Sequence, residues 1–157
     1  MRPSPHRWLI GLKLPNGVVM RIDRALYDEM LAHALADAPN ECCGLVAALD
    51  GEAKRVYRAT NIHASPLRYE IDGTEISQIY GAIEAAGWEL GAIYHSHTRS
   101  APYPSQTDIN IAVPPELGQP LWPGTIYLIV GVASDEPEIC GYRIDGDGVA
   151  EVALSVL

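Results

Sequence analysis

The sequence lacks any uninterrupted run of the roughly 18–20 apolar residues that a membrane-spanning helix needs. Its N-terminal segment, Trp8 to Leu14, is apolar only in part, because Gly11 and Lys13 interrupt it. Such an interrupted segment is not typical of a secretory signal. We therefore expect a cytoplasmic protein that does not use a membrane as a partner.

Cysteine is scarce as well. The chain contains three, at Cys42, Cys43 and Cys140. Two of them are adjacent, and adjacent cysteines are poor disulfide partners for each other. An odd, small number without regular spacing does not build a disulfide framework. We expect free thiols that are mostly buried in the core.

Basic residues are few, and phenylalanine is absent. The 11 Lys and Arg residues stand against 20 Asp and Glu residues, which gives a formal net charge of −9 at pH 7. Nucleic-acid binding relies on clustered Lys and Arg side chains that contact phosphates, whereas these residues are spread along the chain. The charge pattern therefore argues against a nucleic-acid partner.

What is present suits a globular domain with a hydrophobic core. Apolar residues make up 48% and charged residues 20% of the 157 positions. A chain of this length is long enough for one compact domain and too short for two of ordinary size. No internal repeat, low-complexity tract or linker marks a boundary. We expect a single domain over residues 1–157, with its core at about residues 18–154.

The spacing of apolar residues predicts seven strands and three helices. The strands are expected at residues 18–22, 43–49, 53–59, 90–94, 125–132, 139–144 and 149–154. The helices are expected after an Asp23 cap and before Pro39, after an Asp72 cap with Glu75 three residues on, and at about residues 105–112. Helices interleaved with mostly buried strands indicate an α/β or α+β sandwich.

One cluster of residue types points to metal chemistry. His95 and His97 stand two positions apart at the end of a predicted strand, so their side chains project to the same side. Two imidazole nitrogens placed in this way can reach one ion at the 2.0–2.1 Å that zinc requires. Asp108 adds a carboxylate after a loop long enough to fold back. Three protein ligands leave the fourth tetrahedral position for water, which is typical of a catalytic zinc site.

Two further residues are candidates for catalysis. Glu41 lies just ahead of a strand that can pair with the strand ending at His95, and a carboxylate there could carry the proton of an attacking water. Ser105 could donate a hydrogen bond to the oxyanion formed at a carbonyl. Each has an ordinary alternative: Glu41 could be an exposed loop carboxylate, and Ser105 or Asp108 could cap the short helix that follows.

The motif resembles that of the MPN/JAMM family of zinc metallopeptidases, in which an upstream Glu precedes His-x-His-x7-Ser-x2-Asp. All five positions are filled, by Glu41, His95, His97, Ser105 and Asp108. The order of predicted strands and helices is also similar to that family's fold. The resemblance implies an α/β/α sandwich with a mixed β-sheet, related to cytidine deaminases. It further implies one zinc ion per chain with water as fourth ligand, and Glu41 as general acid and base.

Details around the motif are similar to one branch of the family. Thr98 follows the second histidine, where many members, deubiquitinases among them, carry proline. This threonine, the sequence Tyr103-Pro104-Ser105 and the loop at residues 61–69 resemble a compact bacterial branch. Members of that branch cut after the C-terminal Gly-Gly of ubiquitin-like sulfur-carrier proteins, and some release a cysteine newly made on the carrier. The resemblance implies such a carrier as partner and cysteine biosynthesis as the setting.

Other functions stay open at this point. An isopeptidase that removes ubiquitin-like proteins from lysine would use the same motif, and some MPN domains have lost the metal and act as scaffolds. The sequence identifies neither the carrier nor the leaving group, and it leaves open whether the protein is a homodimer. A zinc deaminase is set aside, because it needs His-x-Glu followed by Pro-Cys-x-x-Cys, and neither occurs.

Overall fold

The structure is a computed structural model that describes residues 18–157; the segment from Trp8 to Leu14 lies outside the described residues. The described chain contains seven strands and three helices. Their bounds are β1 (Val18–Ile22), α1 (Arg24–Asp37), β2 (Cys43–Leu49), β3 (Glu52–Ala59), α2 (Gly73–Ala85), β4 (Glu89–His97), α3 (Gln106–Ala112), β5 (Ile126–Gly131), β6 (Glu138–Asp145) and β7 (Gly148–Val156). The order and type of every predicted element are confirmed, and most boundaries move by one to three residues.

The seven strands form one mixed sheet in the order β3-β2-β4-β5-β6-β7-β1. β4 and β5 are parallel, as are β7 and β1, and the other neighbours are antiparallel. The sheet curves until β1 meets β3 at one further pair, Arg21 opposite Glu52. β4 lies in the middle of the sheet, and two of the three predicted metal ligands, His95 and His97, lie at its end.

Side chains of the central strands alternate between two hydrophobic cores, one on each face of the sheet. On one face, Val46 of β2 belongs to the core that includes Met30 of α1. On the other face, Leu45 belongs to the core that includes Ile83 of α2 and Ala112 of α3. One helix therefore covers one face and two helices cover the other. This arrangement is an α/β/α sandwich with a mixed sheet, as the resemblance implied.

Local signals explain where the helices begin, with two differences from expectation. Asp72 accepts a hydrogen bond from the backbone N–H of Thr74 and caps α2. Glu75 does not complete a capping box; its carboxylate instead accepts a bond from the backbone N–H of Thr60 at 2.9 Å. Asp23 occupies the N-cap position of α1, but its side chain makes no capping hydrogen bond.

The three cysteines are free thiols, as predicted. Cys42 and Cys43 are fully buried, one in each core, and Cys140 is partly buried. None of the helices within residues 18–157 is long and apolar enough to cross a membrane.

Alternation along β4 also decides on which face the predicted ligands lie. Tyr94 belongs to the core under α1, while Ile93 belongs to the core under α2 and α3. His95 and His97 continue the Ile93 side, because side chains two positions apart in a strand share a face. α3, which carries Asp108, covers this same face. The fold thus brings residues 11 to 13 positions apart to one point.

Candidate metal centre

Three side chains meet at the end of β4. Nε2 of His95 lies 3.1 Å from Nε2 of His97, and Oδ2 of Asp108 lies 3.1 Å from the first nitrogen and 3.0 Å from the second. All three residues are at most 5% exposed. Within residues 18–157 they form the group of His, Cys, Asp or Glu side chains close enough together to hold one metal ion.

The dimensions and chemistry of this group fit zinc. The three atoms form a nearly equilateral triangle, and in a tetrahedral zinc site ligand atoms are about 3.3 Å apart. Two imidazole nitrogens and one carboxylate oxygen are also a donor set typical of catalytic zinc. The triangle is slightly tighter than the ideal, and a small outward shift of each side chain would accommodate the ion.

Hydrogen bonds around His97 select the form of the ring that binds metal. Its Nδ1 lies 2.8 Å from the carbonyl oxygen of Ala101, and a carbonyl can only accept. We therefore assign the hydrogen to Nδ1, which leaves a lone pair on Nε2 towards the other two ligands. Such a bond from the second nitrogen to a backbone carbonyl is usual for metal-bound histidine.

The pKa values of Asp108 and His95 are shifted in the direction that metal binding needs, whereas the pKa of His97 is shifted the other way. Burial alone would raise the pKa of Asp108, but hydrogen bonds with His95 and His97 outweigh it and hold that pKa well below its ordinary value. Burial lowers the pKa of His95. Burial also acts to lower the pKa of His97, but hydrogen bonds to the Asp108 carboxylate and the Ala101 carbonyl outweigh it, so this pKa is raised overall. The site thus holds an ionised carboxylate beside a neutral imidazole, which are the ligand states for a cation.

Asp108 and Ser105 also form the N-terminal cap of α3. Oγ of Ser105 accepts a hydrogen bond from the backbone N–H of Asp108 at 3.1 Å, and Oδ2 of Asp108 accepts one from the backbone N–H of Ser105 at 2.9 Å. The sequence offered the helix cap and the metal ligand as alternatives for Asp108, whereas in the structure the capping carboxylate also lies within 3.1 Å of both histidines. Since Ser105 Oγ acts as an acceptor in the cap, its own O–H stays available to donate.

Glu41 is buried beside the three ligands rather than exposed in a loop. It is 5% exposed, and its Oε1 has no hydrogen-bond partner in the described part of the chain. Burial raises its pKa to about 7; the charge of His97 acts to lower this pKa and that of Asp108 to raise it further. A carboxyl group with a pKa near neutrality can both take up and release a proton at physiological pH.

The backbone of Glu41 is held by the loop between β3 and α2, residues 61–72, which we name the site loop. The N–H of Glu41 donates to the carbonyl oxygen of Ser65 at 2.8 Å, and its own carbonyl accepts from Nδ2 of Asn61 at 3.1 Å. The next residue, Cys42, donates its N–H to Oγ of Ser96 on β4. Glu41 is therefore fixed between the site loop and the strand that carries the histidines.

The sequence did not reveal the structural roles of several residues that support the site. The Tyr69 ring stacks on His95, the Asn61 side chain organises the site loop, and Thr98 donates to the carbonyl oxygen of Pro39 at 2.7 Å. The only available signal was the similarity of the loop and of Thr98 to one family branch. Hydrogen-bond partners 20 or 59 positions apart leave no periodic pattern in a single sequence.

A mostly apolar cavity of about 320 Å³ adjoins the ligands. Its walls come from the site loop, the sheet face under α2 and α3, and the segment around Trp122. Two wall residues lie next to the ligands: Tyr69, which stacks on His95, and Thr107, which precedes Asp108. This volume is in the range of small-molecule and side-chain binding pockets.

Residues 23–144 match the family described as prokaryotic homologs of the JAB domain. The chain belongs to this family. The matched range contains all five positions of the motif, from Glu41 to Asp108. The resemblance to the MPN/JAMM group that the motif suggested is therefore confirmed, and the α/β fold agrees with it.

Several relatives and solved structures match most of the chain. A CysO-cysteine peptidase from Mycobacterium tuberculosis is 34% identical over 143 residues, covering 89% of this chain and 91% of the relative. A probable TtuB-protein conjugate cleaving protease from Thermus thermophilus is 40% identical over 98 residues, covering 62% and 66%. A solution structure from Desulfitobacterium hafniense has a TM-score of 0.75 at 29% identity, covering 88% and 92%. A JAB1/MPN domain protein from Archaeoglobus fulgidus shares the fold, with a TM-score of 0.56 at 20% identity over 88% and 96%.

Proposed function

We propose that this JAB-family chain is a zinc-dependent hydrolase. It would cleave the acyl bond after the C-terminal Gly-Gly of a ubiquitin-like sulfur-carrier protein and release cysteine. The observation that carries the proposal is the meeting of the buried His95, His97 and Asp108 side chains with the buried Glu41 carboxyl group, whose Oε1 has no hydrogen-bond partner within residues 18–157. The similarity to the mycobacterial CysO-cysteine peptidase along nine-tenths of that protein supports the choice of substrate.

His95, His97 and Asp108 would hold one zinc ion, with water at the fourth position. Zinc at such a site supplies Lewis acidity, which activates water as a nucleophile and polarises the carbonyl under attack. The protein contributes ligands whose orientation is set before the metal arrives. Ala101 fixes the His97 ring and the backbone N–H of Ser105 fixes Oδ2 of Asp108.

Glu41 would move the proton. Its carboxylate accepts a proton as the water oxygen bonds to the carbonyl carbon, and returns it to the leaving nitrogen as the C–N bond breaks. The products are the carrier with a free C-terminal carboxylate and an amine. The O–H of Ser105 would donate to the oxyanion, since the helix cap uses only the acceptor capacity of its oxygen.

The carrier's tail suits this site for a physical reason. Glycine residues have no side chains, so an extended Gly-Gly segment can lie close to a buried metal while the folded carrier stays outside. The adjoining cavity, with its mostly apolar walls, would take other parts of the substrate.

A competition experiment tests the substrate. A Gly-Gly-ending ubiquitin-like carrier is prepared with cysteine joined to its terminal carboxylate by an amide bond, and separately with the side-chain amine of lysine joined there. We expect a higher kcat/KM for the cysteine adduct. Equal rates, or faster cleavage of the lysine form, would favour the second candidate, an isopeptidase. The Thermus relative, whose name specifies protein conjugates, is the observation that supports that alternative.

Metal content and activity separate an enzyme from a scaffold. We expect about one zinc per chain by elemental analysis of the purified protein. A chelator should abolish hydrolysis, and added zinc should restore it. A protein without zinc that gains no hydrolysis when zinc is added would be a non-catalytic member of the family.

A further inference from the structure

The two histidines of the metal centre are supported differently. Nδ1 of His97 is held by the Ala101 carbonyl at 2.8 Å, with Oγ of Ser100 at 3.3 Å. Nδ1 of His95 is buried and has no hydrogen-bond partner within residues 18–157. A metal-bound histidine almost always uses its second nitrogen in a hydrogen bond that sets the orientation of the ring. His95 must therefore be oriented by something else.

An aromatic ring covers the face of His95. The ring centres of Tyr69 and His95 are 4.3 Å apart, and their planes differ by 18°. Tyr69 is 3% exposed and His95 is 1% exposed, so both rings are buried. The imidazole cannot rotate about its Cβ–Cγ bond without passing through the volume of the tyrosine ring.

We propose that Tyr69 is a positioning residue for the metal centre, replacing by stacking the hydrogen bond that His95 lacks. It holds the imidazole in the orientation that points Nε2 towards His97 and Asp108. This inference rests on the proposed zinc site and goes beyond it, because it assigns a role to a residue outside the motif.

The path of the site loop explains how Tyr69 is held in place. Oδ1 of Asn61 accepts from the backbone N–H of Glu70, the residue after Tyr69, at 3.2 Å. Nδ2 of Asn61 donates to the carbonyl of Arg68, the residue before it, at 3.0 Å. The same Nδ2 also bonds to the carbonyl of Glu41. One side chain thus fixes both the stacking tyrosine and the proposed proton carrier.

The test compares Tyr69→Leu with Tyr69→Phe. Leucine removes the flat ring, whereas phenylalanine keeps it and removes only the hydroxyl. Zinc affinity is measured by competition with a chromophoric chelator, and the visible absorption spectrum of the cobalt-substituted protein reports ligand geometry. We expect Tyr69→Leu to weaken zinc binding by about 10–100-fold, as the loss of outer-shell support usually does. The cobalt spectrum should change with it.

Tyr69→Phe should stay within about threefold of the parent and keep its cobalt spectrum, because it keeps the ring that stacks on His95. Tyr57→Leu on β3 is the matched control, and it should leave both measurements unchanged. If Tyr69→Leu does not fold, Tyr69→Met takes its place, because methionine fills irregular space in a core. The same weakening is expected there.

Zinc affinity and cobalt spectrum equal to those of the parent in Tyr69→Leu or Tyr69→Met would overturn the role of Tyr69 alone. Weak binding in Tyr69→Phe as well would also overturn it, since the flat ring would then not be what matters. A parent that binds zinc but hydrolyses no carrier adduct would contradict the proposed function and leave the affinity test valid. A parent that binds no zinc would overturn both.

Discussion

Oγ1 of Thr98 donates a hydrogen bond to the carbonyl oxygen of Pro39 at 2.7 Å. The bond joins the residue after the second proposed ligand, His97, to the segment that leads into Glu41. A proline at position 98 would have no donor for it. Thr98 thus ties the segment before Glu41 to the end of β4, next to His97.

Thr98→Val keeps the shape of the side chain and removes this donor. We expect zinc content to stay unchanged and kcat to fall by about fivefold, since one hydrogen bond is worth about 1 kcal/mol. Steady-state kinetics and elemental analysis measure the two quantities. Thr74→Val, on the exposed start of α2, is the control. Equal kcat in the two variants would show that the Thr98 bond does not matter for catalysis.

Removing any one ligand should remove most of the metal. His95→Ala, His97→Ala and Asp108→Ala each leave two of three protein ligands. Asp108→Ala also removes the carboxylate from the cap of α3, so its thermal stability should fall more than that of the histidine variants. Elemental analysis and thermal unfolding give the measurements. Full zinc content in any of the three would take that residue out of the ligand set.

Glu41→Gln should separate metal binding from turnover. The substitution keeps the size of the side chain and removes its ability to carry a proton. We expect zinc content close to that of the parent and a fall in kcat of about 10²–10⁴-fold, the usual contribution of a general acid–base group. Activity within a few-fold of the parent would exclude Glu41 as the proton carrier.

The buried Glu41 carboxyl should also make the metal-free protein less stable as the pH rises. Its pKa is about 7 in the folded chain against 4.5 for the ordinary group, so ionisation favours the unfolded chain. Well below pH 4.5 the group does not change the free energy of unfolding. It lowers this free energy increasingly as the pH rises from 4.5 to 7, and the effect is constant above pH 7. The full effect is on the order of 3 kcal/mol at 1.36 kcal/mol per unit.

Urea unfolding in the presence of a chelator tests this. The free energy of unfolding of Glu41→Gln, minus that of the parent, should increase between pH 4.5 and 7 and then level off. Comparing the two proteins cancels the other titrating groups they share, such as His33. Parallel pH curves for the two would mean that Glu41 ionises normally in the folded chain.

The meeting of His95, His97 and Asp108 was predictable because the three residues form a short pattern in the sequence. His95 and His97 share a face of one strand, and Asp108 lies a loop away, so strand alternation and spacing were enough to bring them together. The fold class could also be predicted from short-range patterns, because the spacing of apolar residues indicated buried strands that alternate with helices. Asp72 was predicted correctly as a cap because its N–H partner, on Thr74, is two residues away.

The contacts that the sequence could not predict depend on the path of the site loop. Glu75 was expected to complete a local capping box, but it bonds to Thr60, 15 residues back, because the site loop folds between them. The stacking of Tyr69 on His95 joins positions 26 apart and follows no period. Such contacts are decided by tertiary packing, and residue types alone do not specify them.

The Asn61 side chain joins several parts of this loop through hydrogen bonds. Its Oδ1 accepts from the N–H groups of His63 and Glu70, and its Nδ2 donates to the carbonyls of Glu41 and Arg68. All four bonding positions of the amide are thus in use. Asn61→Asp keeps the acceptor side and replaces the donor by an oxygen that faces two carbonyl oxygens.

We expect Asn61→Asp to loosen the link between the site loop and Glu41. A buried acceptor left without its donor costs about 1–3 kcal/mol, which corresponds to roughly 5- to 150-fold in an opening equilibrium. The N–H of Glu41, which donates to the carbonyl oxygen of Ser65, should therefore exchange with solvent faster by a factor in that range, and kcat should fall.

The control is Asn110→Asp, which adds the same charge on the exposed surface of α3. There the Asn110 side chain accepts a hydrogen bond from Gln106. If hydrogen exchange at Glu41 and kcat are alike in the two variants, the amide of Asn61 does not hold the proton carrier in place, and the site loop must be fixed by its packing alone.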